Sequence, residues 1–302
     1  MNIAFEQSAL EFQELTDAKL AEKKISLSIA RLDKLHADVS GNKLFKLHYF
    51  LEEALSSQEK KVITFGGAYS NHLAATAYAC SALGLQATGI VRREEFESDS
   101  HTLLRCQELG MKLNFISRST YKHISDNAFI TELKNTHGDC TIIPEGGYHP
   151  LGARGASLIM DRIATQRPTH VCVAVGTATT LAGLVLKAGN TQVAGVPVIK
   201  NMADIYDRVY QLTGLSSPPQ LSIIDGFHFG GYARHSNLLT SFMNSFFEIH
   251  HIPLDFVYTA KMMFGIMEKI KDDYFPSGSR IICLHTGGLQ GNKSLRPYNL
   301  TF

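Results

Sequence analysis

A lysine stands where the sequence predicts the first turn of a helix. The turn Ser40-Gly41-Asn42 comes directly before Lys43, with Asn42 as the expected N-cap, and apolar residues then recur at helical spacing over residues 43–55. The partial positive charge of a helix N-terminus disfavours an ammonium group, so we expect a lowered pKa for Lys43. A lysine with a lowered pKa is suited to Schiff-base chemistry. Lys46, one turn further on, is expected to be an ordinary solvated surface residue.

Three polar side chains follow a second predicted turn. After the predicted strand at residues 61–65, Gly66-Gly67 ends the strand, and Ser70-Asn71-His72 brings a hydroxyl, an amide and an imidazole to the start of the next predicted helix. The backbone N–H groups of such a turn and the helix N-terminus can bind an anion. The alternative is that Ser70 or Asn71 only caps the helix and that His72 is half exposed. Ser70 is not part of a G-x-S-x-G motif, so the sequence does not favour a hydrolase.

A third loop has the composition of a phosphate site. The apolar strand predicted at residues 171–175 runs directly into Gly176-Thr177-Ala178-Thr179-Thr180-Leu181-Ala182-Gly183. Its small side chains and hydroxyls allow the backbone to approach an anion at the start of a helix. The loop has neither the G-K-[ST] of a nucleoside triphosphate site nor the G-x-G-x-x-G of a dinucleotide fold. The sequence therefore predicts a monophosphate site, with an ordinary tight turn between strand and helix as the alternative.

Composition and charge exclude several classes of protein. The 302 residues are 44% hydrophobic and carry a formal net charge of +1, so we expect about two domains and neither nucleic acid nor an anionic membrane surface as a partner. No stretch approaches the ~18 apolar residues of a membrane span, and the first residues do not resemble a signal peptide. We therefore expect a cytoplasmic protein. The five cysteines form no C-x-x-C pair, so neither disulfides nor a metal site is expected.

The apolar runs predict alternating strands and helices, which is typical of parallel sheets with right-handed crossovers. The change of pattern at Pro144-Glu145-Gly146-Gly147 places a domain boundary near residue 145. We therefore expect two open-sheet α/β domains with a ligand between them. The predicted strands are 25–30, 61–65, 85–91, 111–116, 141–143, 171–175, 193–198 and 280–284. The predicted helices are 43–55, 73–83, 100–109, 126–134, 155–164, 179–188, 237–249 and 262–271.

Taken together, the three motifs resemble those of the pyridoxal-phosphate enzymes of the 1-aminocyclopropane-1-carboxylate deaminase and D-cysteine desulfhydrase family. Later segments agree with it: Gly231-Tyr232, residues 254–261 and residues 284–288. The resemblance implies the fold of the tryptophan synthase β-subunit, known as fold type II, in which a small domain is inserted into a larger one. The large domain would then comprise residues 1–45 and 145–302, and the small domain residues 46–144. It also implies a homodimer.

The resemblance assigns a role to individual residues. Lys43 would hold pyridoxal 5'-phosphate as a Schiff base, with Ser70 and Tyr258 as further catalytic residues. Asn71 would contact the ring hydroxyl and Thr259 the pyridine nitrogen. The phosphate would be held by Gly176, Thr177, Ala178, Thr179 and Thr180. The small amino-acid substrate would meet Ser70, Asn71, His72, Tyr232, Tyr258 and Thr286.

Two positions favour one branch of the family. Thr259 and Thr286 match the desulfhydrase branch, whereas the deaminase branch has glutamate and leucine there. The implied reaction is the α,β-elimination of D-cysteine to pyruvate, ammonia and hydrogen sulfide. One alternative is the deaminase reaction, which opens the ring of 1-aminocyclopropane-1-carboxylate to give 2-oxobutanoate and ammonia. Another is a protein that binds pyridoxal phosphate with little turnover. A nicotinamide dehydrogenase is a more distant alternative, because its glycine fingerprint is missing.

Overall fold

The computed structural model describes residues 9–36, 41–93, 100–295 and 300–302, so the predicted turn residue Ser40 lies outside the described residues. Within these ranges the chain forms a six-stranded and a four-stranded sheet. The strands are β1 Phe12–Leu15, β2 Ser26–Ala30, β3 Lys61–Gly67, β4 Gln86–Arg92, β5 Lys112–Ile116, β6 Thr141–Ile143, β7 His170–Val175, β8 Gln192–Pro197, β9 Leu221–Ile223 and β10 Arg280–Leu284. The helices are α1 Ala18–Lys23, α2 Lys43–Ser56, α3 Asn71–Leu83, α4 His101–Glu108, α5 Arg118–Tyr121, α6 Asn127–His137, α7 Pro150–Ile163, α8 Thr179–Leu186, α9 Ile205–Thr213, α10 Asn237–His250 and α11 Thr259–Lys271.

The smaller sheet has the order β5-β4-β3-β6, and all its strands are parallel. Helices α2 and α3 bury apolar side chains such as Leu51 and Leu73 in one core with Val62 of β3 and Val91 of β4. Because the four strands are parallel, their carboxyl ends lie at one edge of the sheet, where α/β folds bind ligands. The loops after β3, β4 and β6 all leave from this edge.

The larger sheet has the order β1-β2-β10-β7-β8-β9. Its strands are parallel except for β1, which pairs antiparallel with β2, so the prediction of purely parallel sheets is wrong at this edge. Strand β1 was not predicted, because its four residues are too few to show a clear alternating pattern. The connection from β1 to β2 contains only the short helix α1, and antiparallel neighbours need no long crossover.

The six strands of the larger sheet lie outside residues 46–144, and the four strands of the smaller sheet lie within them. Helix α2 runs across the first boundary that the sequence predicts, so the domain limits themselves stay a prediction. In the described part of the chain, no helix has both the length and the apolar composition needed to cross a membrane.

Several element ends differ from the sequence prediction. Strand β3 continues through Gly66 and Gly67, which pair with Val91 and Arg92 of β4, so the glycine pair does not end the strand. Gly66 is needed there for space, because a Cβ atom at this position would lie 2.6 Å from Ser70 Oγ. Helix α7 begins at Pro150, well before the predicted residue 155. Proline suits this position, since a first-turn residue has no helical partner for its N–H.

Close backbone contacts bring three helices together. A Cβ atom on Gly155 of α7 would collide with the carbonyl oxygen of Phe45 in α2, and one on Gly183 of α8 would collide with that of Ala153 in α7. Glycine therefore allows α7 to pack tightly against both α2 and α8. This packing sets the positions of the N-termini of α2 and α8, where Lys43 and the predicted phosphate loop lie.

Candidate active site

Lys43 is the first residue of α2, and its Nζ lies 2.8 Å from Asn42 Oδ1. Burial lowers the pKa of the amine from its ordinary 10.5 to about 8, and the Asp255 carboxylate partly opposes this shift. The predicted direction agrees with the structure, but the main cause is removal from water and not the helix N-terminus named in the sequence analysis. Asn42 does occupy the N-cap position, yet its side chain makes no capping hydrogen bond. Instead its Nδ2 donates to Thr180 Oγ1 at 2.6 Å.

Two adjoining cavities meet at Lys43. The inner cavity has a volume of about 60 Å³ and the outer one about 420 Å³. The volume of the outer cavity is within the usual range for small-molecule sites. Both are lined by Lys43, Asn71, Gly146, Gly176, Thr177 and Tyr258. The inner cavity is also lined by Ala178, Thr179, Thr180, Lys46 and Thr286, and the outer one also by Ser70, His72 and Tyr232. All the sequence-predicted site residues except Thr259 therefore line one cavity or the other.

The loop at the inner cavity leaves a helix N-terminus open. The N-cap residue of α8 is Ala178, which has no side-chain group that can accept from the first-turn N–H groups. Its φ of 66° is in the left-handed region, which is strained for alanine and is typical of functional loops. Thr177 and Thr179 add two hydroxyls, whose oxygens lie 2.9 Å apart. An uncapped N-terminus with hydroxyls around it can bind an anion.

Lys46 is not the solvated residue that the sequence predicted. Its side chain is buried, it lines the inner cavity, and its Nζ donates to the carbonyl oxygen of Gly146 at 3.0 Å. Burial, followed by the positive charge of Lys43, holds the pKa of Lys46 well below its ordinary value. The prediction failed because α2 is covered on two sides, which the spacing of apolar residues within one helix does not show.

The three polar residues before α3 have different surroundings. Ser70 is the N-cap, and its Oγ accepts from the N–H of Leu73 at 3.3 Å, so it does cap the helix. Asn71 Oδ1 is buried and has no hydrogen-bond partner among the described residues. His72 is only 3% exposed, so the half-exposed alternative is wrong. Its Nε2 lies 3.0 Å from Thr64 Oγ1.

His72 is neutral at physiological pH. Burial, assisted by the charges of Lys43 and Lys46, lowers the pKa of His72 from 6.5 to about 3. A neutral imidazole facing the outer cavity can exchange hydrogen bonds with a substrate without adding charge.

A buried carboxylate organises the start of α11. Asp255 Oδ2 accepts from the N–H of Tyr258 at 2.9 Å, and Oδ1 accepts from the hydroxyl of Thr259 at 2.7 Å. Thr259 is fully buried and lines neither cavity, so its predicted contact with a ring nitrogen stays a prediction. The rings of Tyr258 and Tyr232 meet edge to face at 6.2 Å. Burial, with smaller contributions from Tyr232 and Asp255, raises the pKa of Tyr258 well above its ordinary value.

Three further charged residues were missed as site residues. Asp255 lies within residues 254–261 and Glu145 within the predicted domain boundary, but neither was assigned a role in the site, and Arg92 belonged to no motif. Arg92 is the last residue of β4 and Glu145 comes two residues after β6, and both line the outer cavity. Their positions after predicted strands, at the carboxyl edge of a parallel sheet, were the signal that could have identified them.

Comparisons with known proteins agree with this geometry. Residues 17–287 match the family described as pyridoxal-phosphate dependent enzymes. The chain belongs to this family. A protein of Thermotoga maritima, provisionally named a 1-aminocyclopropane-1-carboxylate deaminase, is 31% identical over 294 residues, 90% of this chain and 92% of that protein. A protein of Arabidopsis thaliana named a mitochondrial bifunctional D-cysteine desulfhydrase/1-aminocyclopropane-1-carboxylate deaminase is 30% identical over 291 residues, 88% of this chain and 73% of that protein.

The crystal structure of a homologue of 1-aminocyclopropane-1-carboxylate deaminase shares the fold. It has a TM-score of 0.80 and 26% identity over 95% of this chain and 92% of that one. The resemblance to this pyridoxal-phosphate family and the predicted type II fold are confirmed. The homodimer and the cytoplasmic location stay predictions.

The residues at the two cavities fit pyridoxal phosphate, the cofactor of this family. Its phosphate needs hydrogen-bond donors without a competing cap, which the N-terminus of α8 provides. Its aldehyde needs an amine that is partly unprotonated, which Lys43 provides. Between them Asn71 offers a buried amide whose oxygen has no described partner.

Proposed function

We propose that the chain is a lyase that uses pyridoxal phosphate to expel a leaving group from the β-carbon of a small amino acid, with D-cysteine as the substrate. The observation that carries the proposal is the position of Lys43, whose partly unprotonated amine lies where the inner and outer cavities meet. One cavity suits a phosphate and the other is large enough for a substrate. This arrangement supports covalent catalysis with the cofactor between the two.

The larger sheet supplies most of the groups that would hold the cofactor. The loop of residues 176–180 and the first turn of α8 would bind the phosphate, with Asn42 holding the Thr180 hydroxyl in place. Asn71 would bind the ring hydroxyl through its amide. Lys46 would supply a hydrogen-bond donor at the inner cavity, held in position by its bond to the carbonyl oxygen of Gly146.

When bound, pyridoxal phosphate accepts electron density from the substrate's α-carbon and so acidifies the proton on that carbon. Lys43 Nζ would take this proton, because an amine with a pKa of about 8 is a base that is partly free near neutral pH. Tyr258 stays protonated there, since burial raises its pKa, and its hydroxyl can orient the departing sulfur by donating a hydrogen bond to it. Ser70 and His72 would bind the substrate carboxylate at the N-terminus of α3.

The deaminase reaction is the second candidate, and the name of the Thermotoga maritima relative favours it. The threonine at position 286, which lines the inner cavity, favours the desulfhydrase reaction, as does Thr259. The Arabidopsis relative carries both names in one protein. The products separate the two reactions, because only D-cysteine releases sulfide and only the cyclopropane substrate releases 2-oxobutanoate.

The test is the visible absorption spectrum of the purified protein, recorded before and during incubation with D-cysteine, together with sulfide and pyruvate assays. We expect a visible cofactor band that changes on mixing while sulfide appears. Lys43→Ala should lose both the band and turnover, whereas Lys187→Ala, which removes a surface lysine paired with Asp161, should keep both. A band that D-cysteine does not change would contradict the substrate, and 2-oxobutanoate from the cyclopropane substrate would favour the deaminase. Full activity of Lys43→Ala would contradict the mechanism.

A further inference from the structure

Two charged side chains face the outer cavity on the side formed by the smaller sheet. Arg92 ends β4, and Glu145 begins the short turn after β6. Strands β4 and β6 flank β3 on its two sides. Arg92 and Glu145 therefore extend from either side of the strand that leads into Ser70 and His72. The inner cavity is lined by neither of them.

The guanidinium of Arg92 is held in place without being neutralised. Its Cζ lies 5.2 Å from the centre of the Tyr121 ring, a favourable cation–π arrangement. Next to it, the absence of a side chain at Gly67 leaves room, since a Cβ atom there would already lie 3.4 Å from Nη2. Arg92 makes no hydrogen bond or ion pair with any residue that the structure describes. Its five N–H donors are therefore open to a ligand in the cavity.

Tyr121 lies beside both charges. Its hydroxyl is buried and has no hydrogen-bond partner of good geometry in the described part of the chain. Burial, followed by the nearby carboxylate of Glu145, raises the pKa of this hydroxyl, and the charge of Arg92 acts in the opposite direction. Glu145 thus lies near Tyr121, while Arg92 remains the unpaired charge of opposite sign.

The proposed function leaves Arg92 without a group of the substrate to bind. The cofactor phosphate is assigned to the loop at the inner cavity, and the substrate carboxylate to the N-terminus of α3. The uncharged thiol of D-cysteine gives Arg92 nothing to bind, whereas a substituent on the sulfur would extend into the outer cavity. We propose that the outer cavity accepts S-substituted D-cysteines whose substituent carries a carboxylate, and that Arg92 binds this carboxylate. This inference rests on the proposed function.

The reaction with such a substrate is the same elimination with a larger leaving group. The α-carbon loses its proton, the bond from the β-carbon to sulfur breaks, and sulfur leaves with the electron pair as a thiolate that takes up a proton. The three-carbon fragment then reacts with one water molecule. The net change converts the S-substituted cysteine and water into a free thiol, pyruvate and ammonium, with no oxidant or reductant required.

Two compounds of nearly the same shape test the proposal: S-carboxymethyl-D-cysteine and its amide, S-carbamoylmethyl-D-cysteine. They differ by one charge, so the ratio of their kcat/KM values isolates the recognition of that charge in the holoenzyme. We expect the wild-type protein to prefer the carboxylate by roughly tenfold, the size of one charge-assisted hydrogen bond at an exposed site. Arg92→Gln should bring the ratio to about one, and Arg92→Lys should keep part of the preference. Glu145→Gln should increase the ratio, because it removes a like charge.

The comparison within each variant cancels any general loss of folding or cofactor. A wild-type ratio near one, or a ratio that Arg92→Gln leaves unchanged, would overturn the proposal. If D-cysteine and both compounds fail to react, the proposed function has failed, and the ratio of the two dissociation constants measured by calorimetry then decides the role of Arg92. A preference for the carboxylate in binding that disappears in Arg92→Gln would still support the anion site, and equal binding would refute it.

Discussion

The amine of Lys43 should react with the cofactor at a much lower pH than an ordinary lysine. The structure lowers its pKa from 10.5 to about 8, and only the unprotonated amine attacks an aldehyde. At pH 7 the free fraction is then about 10%, against about 0.03% for an ordinary lysine. The expected advantage is roughly 300-fold, and it arises from burial and not from a specific hydrogen bond.

Stopped-flow mixing of the cofactor-free protein with pyridoxal phosphate measures this advantage. The rate at which the visible band forms is followed from pH 6 to pH 10, and the product is reduced with borohydride and mapped to its lysine. The same series with N-acetyl-lysine corrects for the titration of the cofactor itself, and Lys43→Ala gives the background of the other lysines. We expect the corrected rate to rise with pH and to level off above about pH 8. A rate that continues to rise to pH 10, in parallel with N-acetyl-lysine, would refute the argument from burial.

Substitutions at Asn42, Ser70 and Gly155 test the surroundings of this lysine. Asn42→Leu removes the bridge from α2 to the Thr180 hydroxyl and should weaken cofactor binding by roughly tenfold, measured by fluorescence titration of the cofactor-free protein; unchanged affinity would contradict the bridge. Ser70→Ala should cost about 1 kcal/mol of stability in urea unfolding through loss of the cap, and Ser70→Thr should restore most of it. Gly155→Ala should destabilise the protein by about 1–3 kcal/mol or more, because the new methyl group collides with the backbone of Phe45. The control is Gly291→Ala, because the atom nearest to its new methyl group is 3.9 Å away. This control variant should unfold at nearly the wild-type urea concentration. Equal effects of the two glycine substitutions would show that helix packing does not limit stability.

Local patterns were sufficient to predict the strand and the helix on either side of the proposed phosphate loop. The strand β7 is five buried apolar residues after His170, and such a run followed by glycine and hydroxyl residues predicts a strand, a turn and a helix from neighbouring residues alone. The position of Lys43 in the first turn of α2 was predictable for the same reason. Both features depend on interactions within about ten residues of chain.

The surroundings of Lys46 and His72 could not be predicted in this way. Lys46 is buried because residue 146, a hundred positions later, supplies its hydrogen-bond acceptor. His72 is buried against Thr64, whose hydroxyl in turn donates to the carbonyl oxygen of Ile143. A polar residue is buried at acceptable cost only when such a partner exists. The sequence around each residue contains no sign of the turn at Gly146 or of the neighbouring strand at Ile143, which complete these hydrogen bonds.

The packing of α7 explains how the proposed cofactor groups are held close together. Gly155 lets α7 contact α2, and Gly183 lets α8 contact α7, so the N-termini of α2 and α8 lie side by side. The hydrogen bond from Asn42 to Thr180 then links the two N-termini directly. The distance from the Lys43 amine to the proposed phosphate loop is therefore set by packed helices and not by flexible loops. Arg92 and Glu145, in contrast, come from the edge of the smaller sheet, so substitutions there should change which substituent is accepted without changing how the cofactor is held.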